Sequence, residues 1–99
     1  MAVDYSYHAL LDLESIEDYI TQRSGYPKVA RQFIERLTDA LDLLADFPMM
    51  GTPRDDISPD IRQYVYKNYV ALYSITETGV LIQAVIQGNQ DIEGRFGSE

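Results

Sequence analysis

Residues 61–91 constrain the fold most, because three strand-like runs follow one another there with only short turn signals between them. The first run alternates polar and apolar side chains, and the second is rich in β-branched and aromatic residues. Between them, Asn68 is the residue that we expect to adopt the positive φ of a tight hairpin. Glu77, Thr78 and Gly79 turn the chain again. The stretch therefore predicts an antiparallel meander with strands at 61–66, 69–76 and 80–87.

The last of these runs is apolar on both faces. Strict alternation would put Val80, Ile82, Ala84 and Ile86 on one face, and Leu81 and Val85 on the other. A strand that is buried on both faces lies inside a sheet and not at its edge. We therefore expect the last strand of the meander to keep one edge for a further strand.

Two helices are predicted ahead of the meander, after a short strand at 3–7. Ser6 is placed to cap a helix over 8–23, and Gly25 to end it. Pro27 suits the first turn of a second helix over 27–47, which Pro48 stops. Steps of three and four residues give this second helix an apolar stripe of Ala30, Phe33, Leu37, Leu41 and Leu44. A second stripe, of carboxylates, comprises Glu35, Asp39, Asp42 and Asp46.

The predicted order is therefore strand, helix, helix, strand, strand, strand. Two helices joined by so short a turn are antiparallel and can cover one face of a sheet. This predicts an α+β fold in which an antiparallel helix hairpin packs on one face of a mainly antiparallel four-stranded sheet. At 99 residues the chain is expected to form one domain, over 1–99.

Composition excludes several classes of function. Sixteen acidic residues against eight basic ones give a net charge of −8, and no basic cluster favours binding to nucleic acid. There is no cysteine, and His8 is the only histidine, so thiol catalysis is excluded and we expect neither a metal site nor a cofactor. No apolar run is long enough to span a bilayer, and no leader pattern is present, so we expect a cytoplasmic protein.

Conspicuous polar and aromatic residues also have ordinary structural explanations. Arg62 is expected to pair with Asp55, Asp56 or Asp60 more readily than to form a cationic recognition face with its neighbouring tyrosines. Most of the eight tyrosines are explained by strand propensity and half-buried packing, not by base stacking. His8 is interpreted as a residue of the helix start, and the carboxylate stripe as a solvated helix face.

The order and spacing of these features resemble the RelE/ParE toxin superfamily, and within it the ParE branch, also called plasmid-stabilisation proteins. The likeness covers nearly the whole chain. It is carried by Tyr7, Ala9, Asp12, Leu13, Ile16, Tyr19, Ala30, Phe33, Leu37, Leu44, Pro48, Gly51, Arg54, Asp55, Ile61, Arg62, the run 68–70, Tyr73 and the run 86–91. The resemblance implies a toxin held inactive by a co-expressed antitoxin. In the ParE branch it implies DNA gyrase as the target, and in the RelE branch cleavage of messenger RNA on the ribosome.

The sequence departs from the superfamily at its end. A His-Gly pair followed by Arg is common there, whereas Gln87 and Gln90 occupy those places in this chain. Nucleases of the superfamily use basic residues in the middle loop and sheet, an Arg at the end of the last strand and often a carboxy-terminal Tyr. Only Arg54, Arg62 and Arg95 are candidates for such a set, because Gln90 and Phe96 fall where the other groups are expected.

Three functions from different classes therefore stay open. The first is a ParE-like toxin that inhibits gyrase by protein–protein contact, the second a RelE-like ribosome-dependent ribonuclease, and the third a non-toxic relative that binds an antitoxin. Candidate contacts with the target are Arg54, Arg62, Lys67, Tyr69, Asp91, Arg95 and Phe96. Candidate contacts with the antitoxin are Glu35, Asp39 and Asp42, where we expect Lys or Arg side chains of the partner around an apolar centre.

Overall fold

The computed structural model describes residues 2–88. Within that range, two α-helices lie on one face of a single five-stranded sheet, which confirms the predicted α+β class. The elements in chain order are β1 Ala2–Tyr5, α1 Tyr7–Ser24, α2 Pro27–Asp46, a 3-10 helix Pro48–Met50, β2 Thr52–Pro53, β3 Arg62–Tyr66, β4 Tyr69–Ile75 and β5 Gly79–Gln87. No helix of the described part of the chain is long and apolar enough to cross a membrane.

Local sequence signals set the ends of both helices as predicted. The hydroxyl of Ser6 caps α1, accepting a 3.0 Å hydrogen bond from the N–H of Ala9. At the other end of α1, Gly25 adopts φ 78°, and its N–H donates to the carbonyl of Thr21 at 2.8 Å. Pro27 follows in the first turn of α2. Both helices lie within one residue of their predicted bounds.

The strand order is β1-β5-β4-β3-β2. The last three strands form the predicted antiparallel meander, and β1 pairs in parallel with β5, filling the edge that the meander leaves. The predicted count of four strands is wrong by one, because Thr52 and Pro53 form a two-residue strand that pairs with β3. So short a strand, half of it proline, carries no alternating pattern and gives no signal in the sequence.

One extra residue in β5 changes which of its side chains lie on each face of the sheet, compared with the prediction. Leu72 pairs with Ala84, but the next residue of β4, Tyr73, pairs with Ile82, so that Gln83 bulges out of the ladder. A bulge shifts the alternation of side chains by one position. The residues of β5 that join the core beneath the helices are therefore Val80, Ile82 and Val85, while Ala84 and Ile86 join a cluster on the opposite face.

The start of α1 covers the edge of β5 beyond the end of β1. The N–H of Ser6 donates to the carbonyl of Ile82 at 2.9 Å, and its hydroxyl donates to the carbonyl of Gln83 at 3.1 Å. The carboxylate of Asp12 accepts a 3.0 Å hydrogen bond from the N–H of Val85. Backbone groups that β1 is too short to reach are thus satisfied by α1. These bonds fix the position of α1 against the bulged strand.

The sheet has a core on each face. The larger core lies beneath the helices, and its side chains with almost no exposure include Leu37, Leu41, Leu44, Tyr73 and Ile82. The smaller cluster, on the other face, contains Ile61, Val70, Leu72, Ala84 and Ile86, with Ile57 packed against it. The helix surface that faces away from the sheet is left to solvent or to a partner.

Candidate functional site

The carboxylates predicted to contact an antitoxin lie on the exposed face of α2. Glu35, Asp39 and Asp42 are all exposed, and Asp46 continues the same face at the end of the helix. Successive steps of four, three and four residues keep these four groups on one side of the helix. The position of the stripe is as expected, and its contact with an antitoxin stays a prediction.

Arg54 is engaged by one side chain of its own loop and one side chain of β3. Its Nε and Nη2 donate to the two carboxylate oxygens of Asp56 at 2.9 and 2.7 Å, and its Nη1 donates to Oε1 of Gln63 at 2.7 Å. A bidentate pair of this kind fixes the orientation of the guanidinium. The same hydrogen bonds hold the pKa of the Asp56 carboxyl below its usual value. Arg54 therefore closes the loop between β2 and β3.

Arg62 is bound to backbone oxygens. Its Nη2 donates to the carbonyls of Met49 and Gly51 at 2.9 and 2.6 Å. The expected pairing of Arg62 with Asp55, Asp56 or Asp60 is not found, because its hydrogen bonds go to backbone carbonyls. Asp56 pairs with Arg54 instead. The reason is the register between β2 and β3, which sets Pro53 opposite Arg62 and brings the carbonyls of the preceding turn within reach.

The turn between β3 and β4 presents one exposed cation. Lys67 itself adopts φ 56°, whereas the positive φ was expected at Asn68. Its ammonium lies 5.8 Å from the centroid of the Tyr66 ring. That ring in turn lies 6.0 Å from the ring of Phe33 on α2. Lys67 is therefore displayed on an anchored hairpin, and its contact with a target stays a prediction.

Tyr69 lies in the core and not on the surface. Its side chain is only 5 % exposed, and its ring is centred 5.5 Å from that of Phe33. Burial raises the pKa of its phenol. The expectation that this side chain offers a surface to a target is corrected, because it faces the helices from the first position of β4. The remaining target-contact candidates, Asp91, Arg95 and Phe96, lie outside the described residues.

A cleft of 310 Å³ lies between α1 and the end of β5. Gln87, which stands where the superfamily often has His, lines it together with Asp12, Ser15 and Tyr19. An amide cannot serve as a general base or acid near neutral pH, so Gln87 cannot take the role of that His, and the carboxylate of Asp12 in the same cleft is bound by the N–H of Val85. No group of three or more His, Asp or Glu within residues 2–88 is arranged to hold a metal ion.

An exposed apolar surface follows α2, and sequence reasoning missed it. Phe47, Met49 and Met50 are 59, 67 and 43 % exposed, and we call these three residues the apolar platform. With Asp46 and Pro48 they line an open depression of 660 Å³. The signal in the sequence was the run Phe-Pro-Met-Met. Pro48 ends the helix there, so these side chains cannot continue its buried stripe.

The exposed surface of residues 2–88 suits contact with another protein. Both arginines of the middle region are bound by oxygens of the chain itself, and the exposed surface includes a carboxylate stripe, an apolar platform and Lys67 on its hairpin. Apolar centres ringed by polar groups are typical of protein interfaces.

Comparisons with known proteins agree with this geometry. The family model described as "ParE toxin of type II toxin-antitoxin system, parDE" matches residues 3–92. The protein named Toxin ParE3 of Caulobacter vibrioides is 25 % identical over 88 residues, covering 89 % of this chain and 87 % of that protein. A solved structure described as a chromosomal ParDE TA system from P. aeruginosa superposes with a TM-score of 0.77 at 18 % identity, over 88 % of this chain and 95 % of that one. The structural match shows a shared fold.

Proposed function

Because this chain belongs to the ParE toxin family of type II toxin–antitoxin systems, we propose that it inhibits DNA gyrase by protein–protein contact and is neutralised by a cognate antitoxin. The observation that carries this proposal is the extent of the family match, which reaches from β1 past the end of β5. Both actions would take place in the cytoplasm, where gyrase works.

The state of the arginines supports contact over catalysis. Cleavage of RNA through its 2′-hydroxyl needs a base, an acid and cations that stabilise the charge of the transition state. Arg54 and Arg62 are the cations available in the middle region; the donors of Arg54 are directed at Asp56 and Gln63, and Nη2 of Arg62 is directed at backbone carbonyls. His8, the only histidine, is an exposed residue in the first turn of α1.

Net charge supports a protein target over a nucleic-acid target. A domain with a charge of −8 is repelled by DNA, but the basic, DNA-facing surface of a topoisomerase attracts it and speeds encounter. Among the candidate target contacts in the described residues, Lys67 is the exposed one, on the turn between β3 and β4. We propose that this turn and the chain after Gly88 reach the target.

Supercoiling and DNA cleavage by purified gyrase test the target. We expect the protein to inhibit supercoiling and to trap double-strand breaks, and Lys67→Ala to weaken both effects, because the hairpin loses the side chain that contacts the target. Lys28→Ala is the matched control, because Lys28 is also exposed and the change in charge is the same. Unchanged supercoiling and no trapped breaks, at a large molar excess of folded protein, would contradict inhibition of gyrase.

Message integrity in a translating extract tests the ribonuclease alternative. We expect no cleavage. Cuts within codons that disappear on Arg62→Ala would establish a nuclease instead, provided that thermal unfolding shows the variant to be folded. That control is needed because Arg62 also holds the carbonyls of Met49 and Gly51. Binding of an antitoxin without either effect would identify a non-toxic relative.

A further inference from the structure

The apolar platform is held in place by the sheet beneath it. The hydroxyl of Tyr73 donates to the carbonyl of Pro48 at 2.7 Å and accepts a 2.9 Å hydrogen bond from the N–H of Gly51. Arg62 adds its two bonds to the carbonyls of Met49 and Gly51. Every one of these bonds uses a backbone group of the turn. Its apolar side chains therefore project from a fixed backbone, which lowers the entropy lost when a partner binds.

Carboxylates flank the platform on two sides. Asp46, the last residue of the α2 stripe, lines the depression formed by the platform. On the other side, Met49 also lines a second cleft, of 360 Å³, together with Asp55 and Asp60. Arg62 lies in that cleft as well, but its guanidinium is bound to the two carbonyls already described. The surroundings of the platform are thus predominantly acidic.

This arrangement selects the chemistry of an occupant. A partner segment that places an apolar side chain on the platform lies next to Asp46, Asp55 and Asp60. If this segment also carries Lys or Arg, these cations lie opposite the three carboxylates. A second copy of this chain fits poorly, because it would bring the same carboxylates to the same place and like charges would face each other. The stripe of Glu35, Asp39 and Asp42 leads along α2 directly to this position.

We propose that the apolar platform is the anchoring site for an apolar side chain of the cognate antitoxin, within a segment whose Lys or Arg residues continue along the α2 stripe. This rests on the proposed neutralisation by an antitoxin and adds the place of the anchor and the chemistry of the segment. A buried aromatic or aliphatic anchor is the kind of contact that dominates the binding energy of an interface.

The test measures, by calorimetry, the affinity of this chain for its purified cognate antitoxin. The double variant Phe47→Gln, Met49→Gln makes the exposed platform polar and leaves the backbone bonds of the turn in place. We expect its Kd to rise about tenfold or more. Val65→Thr is the matched control, since Val65 is a 54 % exposed apolar residue on β3, and we expect its Kd to stay within about twofold.

Each outcome has one meaning. If the unaltered protein is folded and does not bind the antitoxin, the proposed neutralisation fails and the anchor with it. If the unaltered protein binds and the double variant binds equally well, only the anchor is overturned. Sedimentation of the toxin alone provides a further arm. A dimer that dissociates in the double variant would show that a second copy covers the platform, and would overturn the assignment to the antitoxin.

Discussion

The carboxylate of Asp12 on α1 accepts a hydrogen bond from the backbone N–H of Val85 on β5, 73 residues further along the chain. This bond lies two residues past the bulge at Gln83, on a part of β5 that β1 does not reach. The Asp12 side chain thus supplies the hydrogen-bond acceptor that a neighbouring strand would otherwise provide. The same contact ties α1, which carries part of the exposed helix surface, to β5, an interior strand of the sheet.

Loss of the Asp12 carboxylate should therefore cost stability. We expect Asp12→Ala to lower the free energy of unfolding by about 2 kcal/mol, because the N–H of Val85 loses a charged acceptor. Asp12→Asn keeps an acceptor oxygen and should cost less. Asp18→Ala, an exposed change on the same helix, is the control and should stay within about 0.5 kcal/mol. Urea unfolding measures all three, and equal losses for Asp12→Ala and Asp18→Ala would refute the role of the bond.

Gly79 permits the parallel pairing of β1. It adopts φ 155°, and a Cβ on it would collide with the backbone of Ala2 on β1. We expect Gly79→Ala to lower the free energy of unfolding by about 3 kcal/mol or more, through backbone strain and displacement of β1. Gly25→Ala is the matched control, because Gly25 also has a positive φ but has open space around it, and should cost about 1 kcal/mol. Thermal unfolding compares them, and a smaller loss for Gly79→Ala would show that β1 is not constrained in this way.

Tyr73 joins the sheet to the turn after α2 through its hydroxyl. Tyr73→Phe should lower the free energy of unfolding by roughly 1–3 kcal/mol, because the buried N–H of Gly51 loses its acceptor. Tyr7→Phe removes a hydroxyl from a 77 % exposed side chain and should change little. If the turn supports the apolar platform, Tyr73→Phe should also weaken binding of the antitoxin at a temperature where it is fully folded. Unchanged affinity would separate the turn from the interface.

Tyr5 should make stability fall at alkaline pH. Burial, together with the carboxylate of Asp42, raises the pKa of Tyr5 to about 12 in the folded protein from an unfolded value of 10.0. A raised pKa favours the folded state below the unfolded pKa, and this contribution is lost as pH rises from 10 towards 12. The midpoint of thermal unfolding should therefore drop over that window, and Tyr5→Phe should reduce the drop. An identical pH profile for the variant would exclude Tyr5 as a source.

Tyr5→Phe also tests the contribution of the Tyr5 hydroxyl to stability at neutral pH. Within residues 2–88 the buried hydroxyl of Tyr5 has no hydrogen-bond partner. Removing an unsatisfied buried hydroxyl relieves a desolvation cost. We therefore expect Tyr5→Phe to be neutral or stabilising at pH 7, in contrast to Tyr73→Phe. A large loss of stability at pH 7 would mean that the hydroxyl is engaged.

Association with the antitoxin should slow as ionic strength rises. The exposed carboxylates of α2 would steer a partner rich in Lys or Arg, and salt screens that attraction. Stopped-flow mixing between roughly 0.05 and 0.5 M salt measures the slope. The variant Glu35→Gln, Asp39→Asn, Asp42→Asn should flatten it. The control makes the same change in net charge elsewhere on the surface, with Glu14→Gln, Asp18→Asn and Glu77→Gln. An association rate of the unaltered protein that does not change with salt concentration would rule out electrostatic steering.

The sequence predicted most of the fold because its signals are local. Ser6, Gly25 and Pro27 set the ends of the helices by their own backbone chemistry, and apolar spacing placed the buried stripe of α2. The meander followed from period-2 patterns separated by turn residues. The resemblance to ParE toxins, read from order and spacing along the chain, is confirmed by the family match.

The candidate site was less predictable, since it depends on which groups meet across the fold. Arg62 is bound by carbonyls 11 and 13 residues earlier, and Tyr69 is buried against Phe33, neither of which has a signature in the sequence. The apolar platform was also overlooked. From the sequence, an apolar run after a helix is expected to be buried, because apolar side chains usually lie in the core. Only the structure shows where the chain turns and which of these side chains are exposed.

The sequence by itself therefore determined both helices, four of the five strands, their order, the acidic face of α2 and the family. Only the tertiary structure decided the bulge at Gln83, and with it which side chains of β5 face the helices. It also decided that β1 pairs in parallel with β5, that Arg54 and Arg62 form hydrogen bonds within the loop and the turn, and that the apolar platform is exposed. The physical reason is that caps and periodicity involve neighbouring residues, whereas register and long-range hydrogen bonds are settled by the packing of the whole domain.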